Sequence, residues 1–134
     1  MSTTYTWNNF KITATYTGSK AADWGNDCPT NWNHHRVTVT NQDTGKSTCF
    51  DFWASLMQPE LRTRYDVLNA FRCFVDDALC GSETFEDFCS EFGYNEDSRR
   101  AERTWKACKH SLAKLQRIYP GDLYDLINDL EEYA

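Results

Sequence analysis

The apolar residues of this chain change period near Trp53, and that change limits the fold more than any other feature. In "FKITATY", residues 10–16, Phe10, Ile12, Ala14 and Tyr16 fall on one face, and Lys11, Thr13 and Thr15 on the other. A period of two with β-branched residues is the pattern of a half-buried strand. "RVTVT" at residues 36–40 repeats it. "STCFDFW" at residues 47–53 follows, with Phe50 and Phe52 expected to face the core. Between those two runs Asp43 and Gly45 suit a tight hairpin, because Gly accepts the positive φ such turns require. Beyond Pro59 the period becomes 3.6, with Leu68, Phe71, Val75, Ala78 and Leu79 in one stripe. Three further stripes follow: Phe85, Phe88, Cys89 and Phe92; Ala101, Trp105, Cys108, Leu112 and Leu115; Leu123, Leu126, Ile127 and Leu130. All are expected to be core.

Strands followed by helices indicate an α+β fold. A length of 134 residues is that of one domain and suffices for a real core without disulfide or metal staples. The expectation is a single domain over residues 1–134. It has a three-stranded antiparallel sheet in residues 1–53 and about four helices in residues 54–134, packed on the sheet.

The helix ends are also written in the sequence. Gly81 is expected to end the first helix. Thr84 caps the second, with Asp87 three residues on, and Gly93 stops it. Asn95 is expected to cap the third, with Glu96 and Asp97 at the positive end of its dipole. Pro120-Gly121 breaks the third helix and Asp122 starts the fourth. Residues 17–35 lack clear periodicity and read as a long connection, of the kind that is functional or mobile. Trp24 and Trp32 within it either fold back over the sheet or form an aromatic contact surface.

The net charge of −6 is unevenly spread. Residues 1–53 are neutral, with four basic and four acidic side chains. Residues 76–97 hold eight acids (Asp76, Asp77, Glu83, Glu86, Asp87, Glu91, Glu96 and Asp97) and no Lys or Arg. Residues 99–117 hold seven basic side chains and one acid, Glu102. Residues 122–132 hold five acids and no base. Two readings stand side by side. The basic helix pairs with its acidic neighbours at the rim, each exposed pair contributing under ~1 kcal/mol. Alternatively, part of the acidic surface stays free and occupies a basic groove on a nucleic-acid-handling protein, with charge steering the encounter. The overall negative charge argues against a general attraction to nucleic acid.

Catalytic constellations are scarce. Asp76 and Asp77 are adjacent on a helix and diverge, and Cys108 and His110 lie two apart. There is no nucleophile elbow, phosphate loop or H-E-x-x-H. The expectation is a protein that is not an enzyme and uses no cofactor. The zinc reading, from Cys108-Lys-His110 and His34-His35, lacks a C-x-x-C pair, and no metal is expected. No run reaches membrane-span length. Met1-Ser-Thr-Thr-Tyr lacks a basic segment before an apolar core, so the expected location is the cytosol, with reduced thiols.

The stretch "FEDFCSEFGYNEDSRRAERTWKAC", residues 85–108, resembles a family of small proteins of tailed bacteriophages and prophages. That family has a "FEDFC" helix followed by a "GYDEDS" turn. Its "YDVL" helix is like residues 65–68 here, and its opening "ITAT" strand is like residues 12–15. Asn95 stands where the family usually has Asp. The resemblance implies phage origin and a compact, cofactor-free inhibitor of host machinery, of the anti-CRISPR or other anti-defence kind. It would be a monomer or homodimer in the host bacterial cytosol, bound to a basic, nucleic-acid-binding host protein such as a CRISPR-Cas component. The expected contact is the acidic face at residues 76–97, with Tyr94 as aromatic anchor. The alternative is an accessory or regulatory phage protein that binds nucleic acid through the basic helix, residues 99–117.

Overall fold

The structure, a computed structural model, describes residues 2–21, 31–54 and 61–133. Trp24 lies outside the described residues. The fold is α+β, with four strands followed by four helices. The strands are β1 (Ser2–Trp7), β2 (Phe10–Ala21), β3 (Asn31–Asn41) and β4 (Ser47–Ala54). The helices are α1 (Arg64–Gly81), α2 (Phe85–Phe92), α3 (Arg99–Gln116) and α4 (Leu123–Tyr133). The chain divides into two compact units, residues 1–70 and 71–134, the division falling inside α1.

The first unit holds an antiparallel meander in the order β1-β2-β3-β4. The sheet has four strands rather than the expected three. The added one is β1, whose residues pair with β2 from Ser2↔Thr15 to Trp7↔Phe10. Half of its six residues are Thr, and so short and polar a segment becomes a strand only with its partner beside it. Thr suits a pleated surface, and Ser2–Thr15 and Thr4–Thr13 hydroxyls bond across the strands at 2.8 and 3.0 Å. The two-residue turn Asn8-Asn9 closes the hairpin, with Asn8 at φ 51°. The next two strands are also longer than their apolar alternation suggests. β2 and β3 continue pairing to Ala21↔Asn31, so most of the expected 17–35 connection is strand, Trp32 included. Between β3 and β4, Asn41 Oδ1 accepts from the Asp43 backbone N–H at 3.0 Å, and Gly45 takes φ 74°.

The expected inward face is buried: Phe10, Ile12 and Ala14 of β2, Val37 and Val39 of β3, and Phe50 of β4. Each large apolar side chain so buried contributes roughly 1.5–3 kcal/mol. His35 lies on this face too, with Nε2 accepting from the Leu61 N–H at 3.4 Å. His34 points to the opposite face, so the adjacent pair cannot chelate one ion. Thr63 caps α1 by accepting from the Asp66 N–H at 3.1 Å, and Asp66 Oδ2 accepts in return from the Thr63 N–H at 3.3 Å.

The second unit is helical. Thr84 caps α2 as expected, accepting from the Asp87 N–H at 3.2 Å, and Gly93 at φ 72° ends it in the left-handed conformation. The cap of α3 differs from expectation. Ser98, not Asn95, accepts from the Ala101 N–H at 3.2 Å. Asn95 instead accepts from the Asp97 N–H at 3.0 Å, a local turn that leaves Glu96 and Asp97 outside the helix. Gly81 also has a reason other than the one its sequence position suggests. A Cβ there would sit 2.3 Å from the Cys108 carbonyl oxygen, so glycine is what lets α1 and α3 touch backbone to backbone.

Phe88, Cys89 and Ala101 form a core cluster, with Cys80, Phe85, Tyr94 and Trp105 packed around it. Phe92 departs from the expected core: it is 49% exposed, because the last turn of the short α2 outruns the cluster that covers Phe88 and Cys89. Among the described residues no helix is long and apolar enough to cross a membrane.

Candidate functional site

Four of the expected contact residues meet around one hollow. Asp76 and Asp77 come from α1, Glu83 from the α1–α2 turn and Glu91 from α2. The hollow has a volume of about 470 Å³, and Leu79, Cys80, Phe92 and Tyr124 complete the lining. Local structure explains why these side chains converge. Ser82 turns the chain after α1, its hydroxyl donating to the Leu79 carbonyl at 2.6 Å. The Trp105 indole N–H donates to the Glu83 carbonyl at 3.1 Å, which ties that turn to α3. Thr84 then starts α2 immediately, so Glu91 returns beside Glu83.

The electrostatics of the hollow are those of crowded like charges. Desolvation by its packed surroundings and then the neighbouring Asp76 charge push the Asp77 carboxyl up to about 6, although the residue as a whole is exposed, which weakens the effect. Burial raises Asp76 as well, and Glu131 adds to this, while Arg72, 3.2 Å away on the same helix, works against it. Glu83 is raised first by its hydrogen bond with Glu91 and then by burial. Two carboxyls in that contact favour sharing a proton. Cys80 is raised by burial and by the charges of Asp77, Glu83, Glu91 and Asp76, so its thiol is no nucleophile. Cys108 is held still higher, at about 12, chiefly by burial. Among the described residues no group of three or more His, Cys, Asp or Glu side chains is arranged to hold a metal ion.

The other expected contact residues are not brought into this hollow. Glu86 and Asp87 are exposed in the first turn of α2, and Glu96 and Asp97 are exposed in the turn before α3. Tyr94 is half-buried, its ring stacked on Phe88 at 5.7 Å, so much of its surface serves the core. The exposed aromatic surface beside this hollow belongs to Phe92 and to Tyr124, which is 62% exposed. Tyr124 carried a legible signal: it lies off the Leu123-Leu126-Ile127-Leu130 stripe of α4. Its proximity to residues some 40 positions earlier had none.

The basic helix has its own hollow, also about 470 Å³, lined by Arg99, Glu102, Arg103 and Lys106. Part of its charge is engaged within the helix. Lys106 pairs with Glu102 at 2.9 Å, and Lys109 lies 4.6 Å from the centre of the Trp105 ring. Compared with known proteins, the chain matches no protein-family model, no curated protein and no solved structure.

Proposed function

We infer that the protein acts by binding, and that its target is a basic, nucleic-acid-handling protein surface, as a phage-encoded inhibitor of a host defence system of the anti-CRISPR kind would require. The observation that carries this reading is the convergence of Asp76, Asp77, Glu83 and Glu91 on one aromatic-edged hollow. The carboxyls of Asp76, Asp77 and Glu83 are held above their ordinary range, which a nearby cation would reverse. An incoming Arg or Lys favours their charged forms and relieves the mutual repulsion. Phe92 and Tyr124 offer apolar and π surface beside those charges, which suits a guanidinium. Inhibition by occupancy of a basic groove needs no chemistry at this face.

Titration of a labelled hexa-arginine peptide at low salt tests the reading. Reversal of Asp77, Glu83 and Glu91 to Lys should weaken binding ~30-fold or more, the scale of losing a central contact. Reversal of Glu86 and Asp87, outside the hollow, should lower chiefly the association rate. Equal losses in the two variants would mean a diffuse field without a site, and an unreactive wild type would remove the acidic face as the contact. Affinity purification from lysogenic cells with mass spectrometry then names the partner.

The hollow formed by Arg99, Arg103 and Lys106 favours a second reading, nucleic-acid binding through α3. Generic duplex DNA separates the two. A DNA-binding protein loses affinity steeply with salt, whereas an inhibitor docked through its acidic face ignores free DNA.

A further inference from the structure

The sheet unit carries a constellation independent of the acidic hollow. The register of β2 against β3 slips between Tyr16, opposite His35, and Gly18, opposite His34, so Thr17 is the extra residue of a bulge. Bulges re-aim side chains out of the ladder, and they are over-represented beside active sites. Thr17 Oγ1 is hydrogen-bonded to His34 Nδ1. On the other side of the ring, His34 Nε2 lies 3.0 Å from Asp51 Oδ1 on β4. Hydroxyl, imidazole and carboxylate are thus linked in series across three adjacent strands.

The protonation pattern follows from what each atom can do. A carboxylate accepts and does not donate, so Nε2 carries the imidazole proton toward Asp51. Nδ1 then keeps its lone pair and faces the Thr17 oxygen, whose one proton has two acceptors in reach, Nδ1 and the His34 carbonyl oxygen at 3.2 Å. Trp53 packs on the imidazole at 4.4 Å, and His34 as a residue is only 8% exposed, which limits competition from water. Thr17 itself is exposed, and the neighbouring Gly18 has open space where a side chain would stand. Arg36, two residues along the same face of β3, has a half-exposed side chain and lies 3.5 Å from Asp51. Its other terminal nitrogen donates to Cys49 Sγ at 3.0 Å, so the side chain is held beside Asp51.

We propose that Thr17, His34 and Asp51 form a nucleophile–base–orienter set for acyl transfer from esters, with Thr17 and His34 as catalytic residues and Asp51 as a positioning residue. The Thr17 oxygen attacks the ester carbonyl carbon as its proton passes to His34 Nδ1. The carbonyl electron pair moves to oxygen, then returns as the bond to the leaving alkoxide breaks. The alkoxide takes the proton from Nδ1 and departs as an alcohol. Water repeats the sequence on the acyl-threonine, releasing the acid and restoring the hydroxyl. The sum is ester plus water to acid plus alcohol, with no change of oxidation state.

p-Nitrophenyl acetate is the probe. The full chain should release p-nitrophenolate, with either an acetyl group mapped by mass spectrometry to Thr17 or continued turnover that depends on Thr17. Thr17→Val keeps the shape and removes the oxygen, and it should abolish both signals. Thr17→Ser should restore them. Asp51→Asn should slow acylation ~100-fold or more, the usual scale of an oriented general base, without moving the thermal midpoint by a comparable proportion. Acetyl groups found only on lysines, the N-terminus or Cys49, with release unchanged in Thr17→Val, would overturn the proposal. The wild-type adduct map and turnover already decide the case if the valine variant does not fold.

Discussion

In residues 1–70 six basic side chains stand against six acidic ones, whereas residues 71–134 hold eight against fourteen, so the net charge of −6 lies wholly in the second unit. The sheet unit places polar groups opposite one another on neighbouring strands. Ser2 meets Thr15, Thr4 meets Thr13, and Asp51 meets both His34 and Arg36. The helical unit does the reverse with its acids. Asp76, Asp77, Glu83 and Glu91 are gathered, and their carboxyls repel. A sheet pairs residues distant in sequence at each rung, so complementary groups can be matched one by one. A helix sorts residues by face, so a run of like charge in the sequence becomes a patch of like charge on the surface.

Backbone proximity is where the two units should differ most under mutation. Gly81→Ala forces a Cβ against the Cys108 backbone and should destabilise the helical unit by ~3 kcal/mol or more, read as a loss of thermal midpoint. Gly45→Ala in the sheet unit meets open space and bears only the left-handed backbone cost, ~1–2 kcal/mol. If Gly81→Ala is the milder change, the close approach of α1 and α3 is not what the glycine serves.

The caps come next. Ser98→Ala should cost ~1 kcal/mol and Asn95→Ala distinctly less, because Ser98 holds the first-turn amide of α3. The reverse order in urea denaturation would return the cap to Asn95.

Asp77→Asn tests the gathered charge. The folded carboxyl, at about 6, lies above its ordinary value, so the native state binds a proton that the unfolded chain has released. This group therefore opposes folding above pH 6, and its penalty fades as the pH falls from about 6 toward its unfolded value. The Asn variant should be the more stable at pH 7, by ~1 kcal/mol at most because the residue is exposed, and no different at a pH well below the ordinary carboxyl value, about 3. A variant equally stable at both pH values would mean that the carboxylate bears no such penalty. The smallest effect belongs to the paired sheet: Thr4→Ala should cost a few tenths of a kcal/mol, since its cross-strand hydroxyl bond is exposed. A larger loss would make β1 a structural staple rather than an edge.

The sequence by itself determined the parts of this protein that depend on neighbours along the chain. The alternation of Phe10, Ile12 and Ala14 gave β2 its buried face, and Thr84 and Gly93 bounded α2, because propensity, periodicity and capping act within a few residues. The blocks of charge were equally legible. Tertiary structure decided which of those residues meet. It made a strand of the polar segment Ser2–Trp7 by giving it a partner. It left Phe92 exposed and set Tyr94 against Phe88. It brought Tyr124 to the hollow that Asp77 lines, and it put Thr17, His34 and Asp51 in line through a one-residue slip of register. Each of those contacts spans a turn, a bulge or a whole element, and its geometry is set by packing and hydrogen-bond register that no local pattern encodes.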